Sequence, residues 1–542
     1  MQKEHSIRRP VAAHRALERR QKTLAVGILL ALGVAGVLAL LLVSCGGGTS
    51  IPVSPPPAVS VQPLQITDVQ SIVMAAVNSA NVDMVVAVVD RAGFVLGVYR
   101  TQNAPATAVG NFGQMVDAND VAVALARTGA FFSNDQAPLS SRTVRFISGI
   151  HFPPGVTNQP PAALYGIENT NRGCTLVSSA SFQSQIPPSL ALGGGFGPGV
   201  ITGKTDTMDS DPLSVNPGGV PIFYQNVVLG GIGVVTSSSD FNVAEYAAFV
   251  GSTPQRTGPS DSFGPTPAAP GVVSINGVSL PFVTQTSLPA NVSAGPVAGG
   301  GSFLIAPANS AGQPPDGDLI MPAAGPLGGL KATDVQTILN NAETTADQTR
   351  AAIRLPIGAR ARMTIAVADL DGTIIGLRRM QDSTVFSIDV AASKARNMVY
   401  FNSFARTAAD LNQVPMGTAV TNRTISFGAQ PLFPPGIDGT GAGPFFNIFL
   451  QDVANPCTEG FQPGPPNVNK SGIVFFPGSA GLYLNGTLVG GLGVSGDGVD
   501  QDDYVTNGGI AGFEAPANIR ADQVSINGVR LPYLKFPRNP TD

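Results

Sequence analysis

Two stretches of the chain place apolar residues at i, i+3, i+4 and i+7: Val69, Ile72, Val73, Ala76, and Val335, Ile338, Leu339, Ala342. That spacing predicts an amphipathic helix in each place. Thr67 with Gln70, and Thr333 with Gln336, predict a capping box at the start of each. Behind each helix runs an apolar segment broken by Asp and Gly, VAVVDRAGFVLGVYR ending at Arg100 and IAVADLDGTIIGLRR ending at Arg379. Both read as β-hairpins with Asp90 to Gly93 and Asp369 to Gly372 as type I turns. A second, Ala-rich helix is expected from near Asp120 and near Asp389. A late hairpin follows a long loop, with Asn485-Gly486 as a type I′ turn and Gln225-Asn226 in the matching place. Helix, hairpin, helix, loop and hairpin predict an α+β fold, an antiparallel sheet with helices packed on it.

The order of elements recurs, and so do the residues. Leu64 to Gln70 returns as Leu330 to Gln336, and Phe152-Pro153-Pro154-Gly155 as Phe433-Pro434-Pro435-Gly436. LGGIGV from Leu229 returns as VGGLGV from Val489, and VSINGV from Val273 as VSINGV from Val524. Five repeated blocks in one order predict two tandem domains. The expected boundaries are 64–283 and 330–536, with 284–329 as linker and long loop insertions at 156–215 and 437–475. The 64 Gly and 46 Pro suit such loops.

The N-terminus has its own pattern. Leu24 to Ser44 is an uncharged, mostly apolar run of 21 residues, long enough to cross a bilayer. Seven basic and two acidic residues precede it, a net +5 that predicts a cytoplasmic start and leaves −9 for the remainder. The run ends at Ser44-Cys45 followed by three glycines, which resembles a bacterial lipoprotein signal with Cys45 as the lipidation site. An uncleaved anchor helix and a plain secretory signal are the alternatives. Each expects residues 1–45 to be a signal or anchor, 46–63 a Gly/Pro-rich tether, and the rest extracytoplasmic on a bacterial membrane. With charged residues at only 12% and no basic block in an acidic outer part, no nucleic acid partner is expected.

Several of these blocks resemble the GlcG/HbpS-like haem-binding family. They are Leu64 to Gln70, Val88-Val89-Asp90 to Gly93, Lys394-Ala395-Arg396-Asn397, Pro217 to Ile222 with Gly231 to Val234, and Gly491 to Gly496. The resemblance implies profilin-like antiparallel α/β sandwich domains, oligomerisation, and haem binding or degradation in some members. A tandem copy then takes the place of a homodimer, making a pseudo-dimer within one chain.

The candidate chemistry is sparse. His151 is the one histidine outside the N-terminal segment and the one candidate imidazole ligand for haem iron. Leu432 stands in its place in the second copy, which favours a hydrogen-bonded loop histidine. Arg100, Arg142, Arg379 and Arg423 recur in both copies. They read either as loop-bracing side chains or as contacts for haem propionates or another flat anionic ligand. Asp90 and Asp369 are explained by their turns. Asp206, Asp209 and Asp211, and Asp497, Asp500, Asp502 and Asp503, lack the spacing of an EF-hand. GLGVSG from Gly491 satisfies G-x-G-x-x-G, but tight strand packing explains it better than a dinucleotide. Cys174 and Cys457 occupy matching loops and are expected to pair as a disulfide, with two separate thiols as the alternative. No nucleophile elbow, H-E-x-x-H or Cys-x-x-Cys is present, so a non-catalytic binding protein leads. An envelope structural or interaction protein is the alternative.

Overall fold

The computed structural model describes residues 61–170, 174, 216–258, 261–264, 272–455, 457–461 and 469–541. Leu24 to Ser44, Cys45, the tether to residue 60, and Asp206, Asp209 and Asp211 lie outside them. No described helix is long and apolar enough to cross a membrane.

The first half runs α1 (Ile66–Ser79), β1 (Met84–Asp90), β2 (Val95–Thr101), α2 (Ala118–Phe132), α3 (Ser141–Phe146), β3 (Gly219–Tyr224), β4 (Val227–Thr236), α4 (Phe241–Gly251) and β5 (Gly301–Ile305). The second runs β6 (Gly317–Ile320), α5 (Ala332–Gln348), β7 (Thr364–Ala368), β8 (Ile374–Arg379), α6 (Ser387–Asn402), α7 (Asn422–Gly428), α8 (Phe446–Ala454), β9 (Ser479–Leu484), β10 (Thr487–Ser495) and α9 (Val499–Gly509). Each half forms a five-stranded antiparallel sheet, ordered β5-β2-β1-β4-β3 and β6-β8-β7-β10-β9. The stretch read from composition as linker therefore supplies an edge strand to each sheet. Its Gly and Pro content conceals two short strands that find their partners only in the folded chain.

The α+β expectation holds, and strand alternation explains the layers. Met84, Val86 and Val88 face α1 and α4, while Val85, Ala87 and Val89 face α2. Ile365 and Val367 face α5 and α9, while Ala366 and Ala368 face α6. The turns also form as expected. Gly93 and Gly372 have positive φ, and their N–H groups donate to the carbonyls of Asp90 and Asp369 at 3.0 and 2.9 Å. Asn485 and Gly486 both have positive φ, as a type I′ turn requires, and so do Gln225 and Asn226.

The capping expectation is corrected. The N-caps fall two residues earlier, at Gln65 and Lys331, and the carboxylates of Asp68 and Asp334 accept from the backbone N–H of Gln65 and Lys331 at 2.8 and 2.9 Å. A short anionic side chain in the first turn both fills the unpaired N–H and favours the helix dipole, an advantage Gln70 and Gln336 lack.

The glycine-rich strands are explained by packing. A Cβ on Gly231 or Gly233 would overlap the carbonyl oxygens of Ala126 and Ala122, and one on Gly491 or Gly493 those of Ala395 and Ala391. Glycine at these places lets α2 lie directly on β4 and α6 directly on β10.

The two halves share a core. Side chains of α2 and α6 belong to one buried cluster, and the rings of Phe132 and Phe386 stack 4.1 Å apart. Polar contacts continue across: Val385 N–H donates to Phe131 O at 3.0 Å, Asn134 Nδ2 to Ile353 O at 3.1 Å, and Gln136 Nε2 to Leu355 O at 2.9 Å.

Candidate functional site

The sequence-derived site residues are held by the protein itself. Arg100, on β2, donates to Asn119 Oδ1 at 2.9 Å and to the carbonyls of Ala104 and Pro105 at 3.0 and 3.1 Å. Arg379 occupies the equivalent register position on β8 but has different partners, pairing with Asp316 and donating to Ser383 O. Arg142 on α3 forks onto Glu245 of α4 at 2.6 and 3.0 Å and reaches Asn242 at 3.1 Å. Arg423 on α7 repeats this with Asp503 and Asp500 of α9. In both places the chain beyond closes on the same helices: Thr143 Oγ1 donates to Pro281 O at 2.6 Å and Thr424 Oγ1 to Pro532 O at 2.7 Å. Planar guanidinium and buried carboxylate match two bonds to two bonds, so this pair works as a brace between helices.

His151 lies in the first Phe-Pro-Pro-Gly loop, where its Nε2 meets Asp438 of the second such loop at 2.7 Å. Asp438 Oδ2 accepts from Asn158 N–H at 3.0 Å, and Asn158 Oδ1 accepts from Asp438 N–H at 3.1 Å. The repeated loops thus clasp each other, with the imidazole buried and its Nδ1 without a hydrogen bond among the described residues. Cys174 and Cys457 form a disulfide with Cα atoms 5.0 Å apart, joining positions 283 residues apart in sequence. Arg100, Arg142, Arg379, Arg423 and His151 share no hydrogen-bond partner among the described residues.

Other polar groups are more deeply buried. Arg127 on α2 and Arg396 on α6 both donate Nε–H at 3.0 Å to the turn glycines, Gly93 and Gly372. Burial pulls both guanidinium groups down to about 10. Their equivalence was visible in the repeat, since both follow Ala in the second helix. Where α2 has Leu125 and α4 has Ala244, α6 has Lys394 and α9 has Asp502. The lysine pairs with Asp502 at 3.0 Å and donates to Val494 O at 2.7 Å. Burial lowers Lys394 and pushes Asp502 up to about 7. At the seam Arg354 joins Asp382 to Asp497. Burial, then the neighbouring Asp382 carboxylate, pushes Asp135 up to about 6. Asp90 also rises to about 6 through burial, although Phe94 N–H donates to it at 2.9 Å.

An opening of about 230 Å³ is lined by Val61, Pro63, Val227, Leu229, Ser310, Gly312 and Gln313. It lies below the roughly 300–1,000 Å³ usual for small-molecule pockets. No group of His, Cys, Asp and Glu side chains among the described residues is arranged to hold a metal ion.

No curated protein matches the chain. Among solved structures, the Klebsiella pneumoniae protein ORFY is similar, with 17% identity over 34% of this chain and 90% of that one, at a TM-score of 0.22. A PduOC:haem complex is similar at 22% identity over 34% of this chain and 94% of that one, also at a TM-score of 0.22. Residues 330–511, which run from the start of α5 past the end of α9, match the model of the family described as haem degrading protein HbpS-like.

Proposed function

We propose that this chain is an extracytoplasmic binding protein, tethered to the bacterial membrane through its N-terminus and built on two HbpS-like domains. Haem is the ligand to test first. The observation that carries the reading is the family match at 330–511, within the second of two sheets with the same strand order. A lipidated Cys45 is the proposed tether, and loss of membrane pelleting in Cys45→Ala is its test.

The described side chains do not fit haem as they stand. The matched residues contain no histidine. His151 is buried against Asp438, and the four repeated arginines hold protein carboxylates or carbonyls where propionates were expected. Haem uptake therefore requires other residues or a rearrangement. The same observation favours a second reading, an envelope interaction protein in which the HbpS-like fold is a scaffold. Titration of haem into residues 46–542, followed in the Soret region with His151→Ala alongside, separates the two. A saturable stoichiometric shift supports the binding protein; uptake that never saturates supports the scaffold.

A further inference from the structure

The edge strands β5 and β6 are one element used twice. Ser302 of β5 stands opposite Arg100, and Gly317 of β6 opposite Arg379. The match continues beyond the strands. Ala308 N–H donates to Leu96 O and Ala323 N–H to Ile375 O, both at 2.8 Å. Ser310 N–H donates to Leu64 O at 2.8 Å, and Gly325 N–H to Leu330 O at 2.9 Å. The order along the chain differs. In the second half the element precedes α5, so Gly325 and Leu330 are joined by the turn Pro326-Leu327-Gly328-Gly329. In the first half it follows α4, so Ser310 and Leu64 belong to two separate stretches of chain that no such turn joins.

That turn has a task. Leu327 and Gly328 N–H donate to the Asp369 carboxylate at 3.1 and 2.8 Å. Gly328 lies so close to Val489 that a Cβ would overlap its carbonyl oxygen. Asp90, buried at the equivalent place, lacks these two amides among the described residues. Its Oδ1 accepts from Phe94 N–H at 2.9 Å and its Oδ2 from the Ser310 hydroxyl at 3.2 Å. The second bond is longer than the roughly 2.5–2.7 Å of a strong hydroxyl–carboxylate bond. Where the second half has the turn, the first half has the opening of about 230 Å³. Val61 and Pro63 line it from one stretch, Ser310 and Gln313 from the other, and Val227 and Leu229 from the β3–β4 hairpin. Leu229 stands where the second half has Val489. A further carboxylate, Asp135, accepts from Val228 N–H of the same hairpin at 2.9 Å. Arg127 reaches the Asp90 turn from α2, at Gly93 O.

We propose that this opening binds a small primary ammonium ligand with a short aliphatic group, which takes the place of the turn. Its N–H groups donate to the Ser310 hydroxyl oxygen and the Gln313 side-chain carbonyl, near the carboxylates of Asp90 and Asp135. Its aliphatic part lies on Val61, Val227 and Leu229. A largely apolar lining with a few placed polar groups is the usual make-up of a small-molecule site. Carboxylates of one sign behind a low-dielectric wall favour a cation over an anion. None of these residues lies within 330–511, so the test is independent of haem uptake.

The test is calorimetric titration of isopentylammonium chloride into the full chain in a non-ionic detergent, with isovalerate as the anionic counterpart of similar size. The expected result is saturable binding of one isopentylammonium per chain and none of isovalerate. Affinity should fall at least tenfold in Asp90→Asn and in Val61→Trp, whose indole takes up the opening. Val61→Trp decides the matter alone if Asp90→Asn does not fold. Asp369→Asn, beside the turn that fills the equivalent space, should bind as the unaltered chain does. Absence of saturable binding overturns the site. So does equal binding of isovalerate, retention of affinity in Val61→Trp, or a loss in Asp369→Asn as large as in Asp90→Asn.

Discussion

Replacing Lys394 by Leu tests how the second half accommodates a charge that the first half does without. Lys394 and Asp502 are almost wholly withdrawn from water, with side-chain exposures of 0% and 3%. The equivalent places hold Leu125 and Ala244. The match is confirmed by Gly218, whose Cβ would meet Ala244, and Gly478, whose Cβ would meet Asp502 and Lys394. Removing one partner of a buried ion pair strands the other and costs about 3–5 kcal/mol, whereas replacing both by apolar groups is neutral or stabilising by about 1–4 kcal/mol. Lys394→Leu alone should therefore unfold at markedly lower urea concentration, and adding Asp502→Ala should restore the midpoint or raise it. Acid supplies a further check. Burial already pushes the Asp502 carboxyl up to about 7, and without the lysine its protonated form is favoured more strongly. The penalty of Lys394→Leu should shrink as pH is lowered from the alkaline side towards about 7 and level off below it, because the variant's carboxyl takes up its proton at higher pH than the paired one and then carries no charge to strand. A double variant as unstable as the single one would refute the argument, as would a penalty that grows on acidification.

Three further outcomes are expected. Gly493→Ala drives a methyl into the Ala391 carbonyl and should cost about 1–3 kcal/mol in chemical denaturation, whereas Gly441→Ala, with open space around its Cα, should cost far less. Arg142→Ala and Arg423→Ala each strand a fully buried carboxylate, Glu245 or Asp503, and should lower stability by about 3–5 kcal/mol. If these arginines are braces alone, the haem titration of the surviving folded protein is unchanged. Glu459 is pushed up to about 7 by burial, so the folded state holds its proton more tightly than the unfolded chain. Its contribution to stability is full below about pH 4.5 and falls as pH rises to about 7; Glu459→Gln should remove that part of the pH slope in parallel denaturation series.

Much of the framework was legible because local rules and packing agree. Val69, Ile72, Val73 and Ala76 repeat at the helical period, and all four are buried. Asp90 with Gly93 and Asn485 with Gly486 carry turn chemistry that works at short range. The cysteines could be paired because they occupy matching loops, one in each half, and the structure joins them. The β5 and β6 edges were hidden, since Gly301–Ile305 and Gly317–Ile320 are strands only through pairing with β2 and β8. The partners of Arg142 and Arg423 were likewise invisible, although a bracing role was one of the two readings: Glu245 lies 103 residues beyond Arg142, and no periodicity reports that distance. For the same reason Asp438 as the partner of His151 appears only when the two halves are folded together, and Glu459 beside Asn397 only when the second half folds.

Haem binding is the central claim, and native mass spectrometry of residues 46–542 with increasing haem tests it most directly. The account predicts one discrete stoichiometry that fills and then stays constant in excess haem. A ladder of adducts that keeps growing with concentration, or no adduct at all, would contradict it and leave the HbpS-like region as a scaffold.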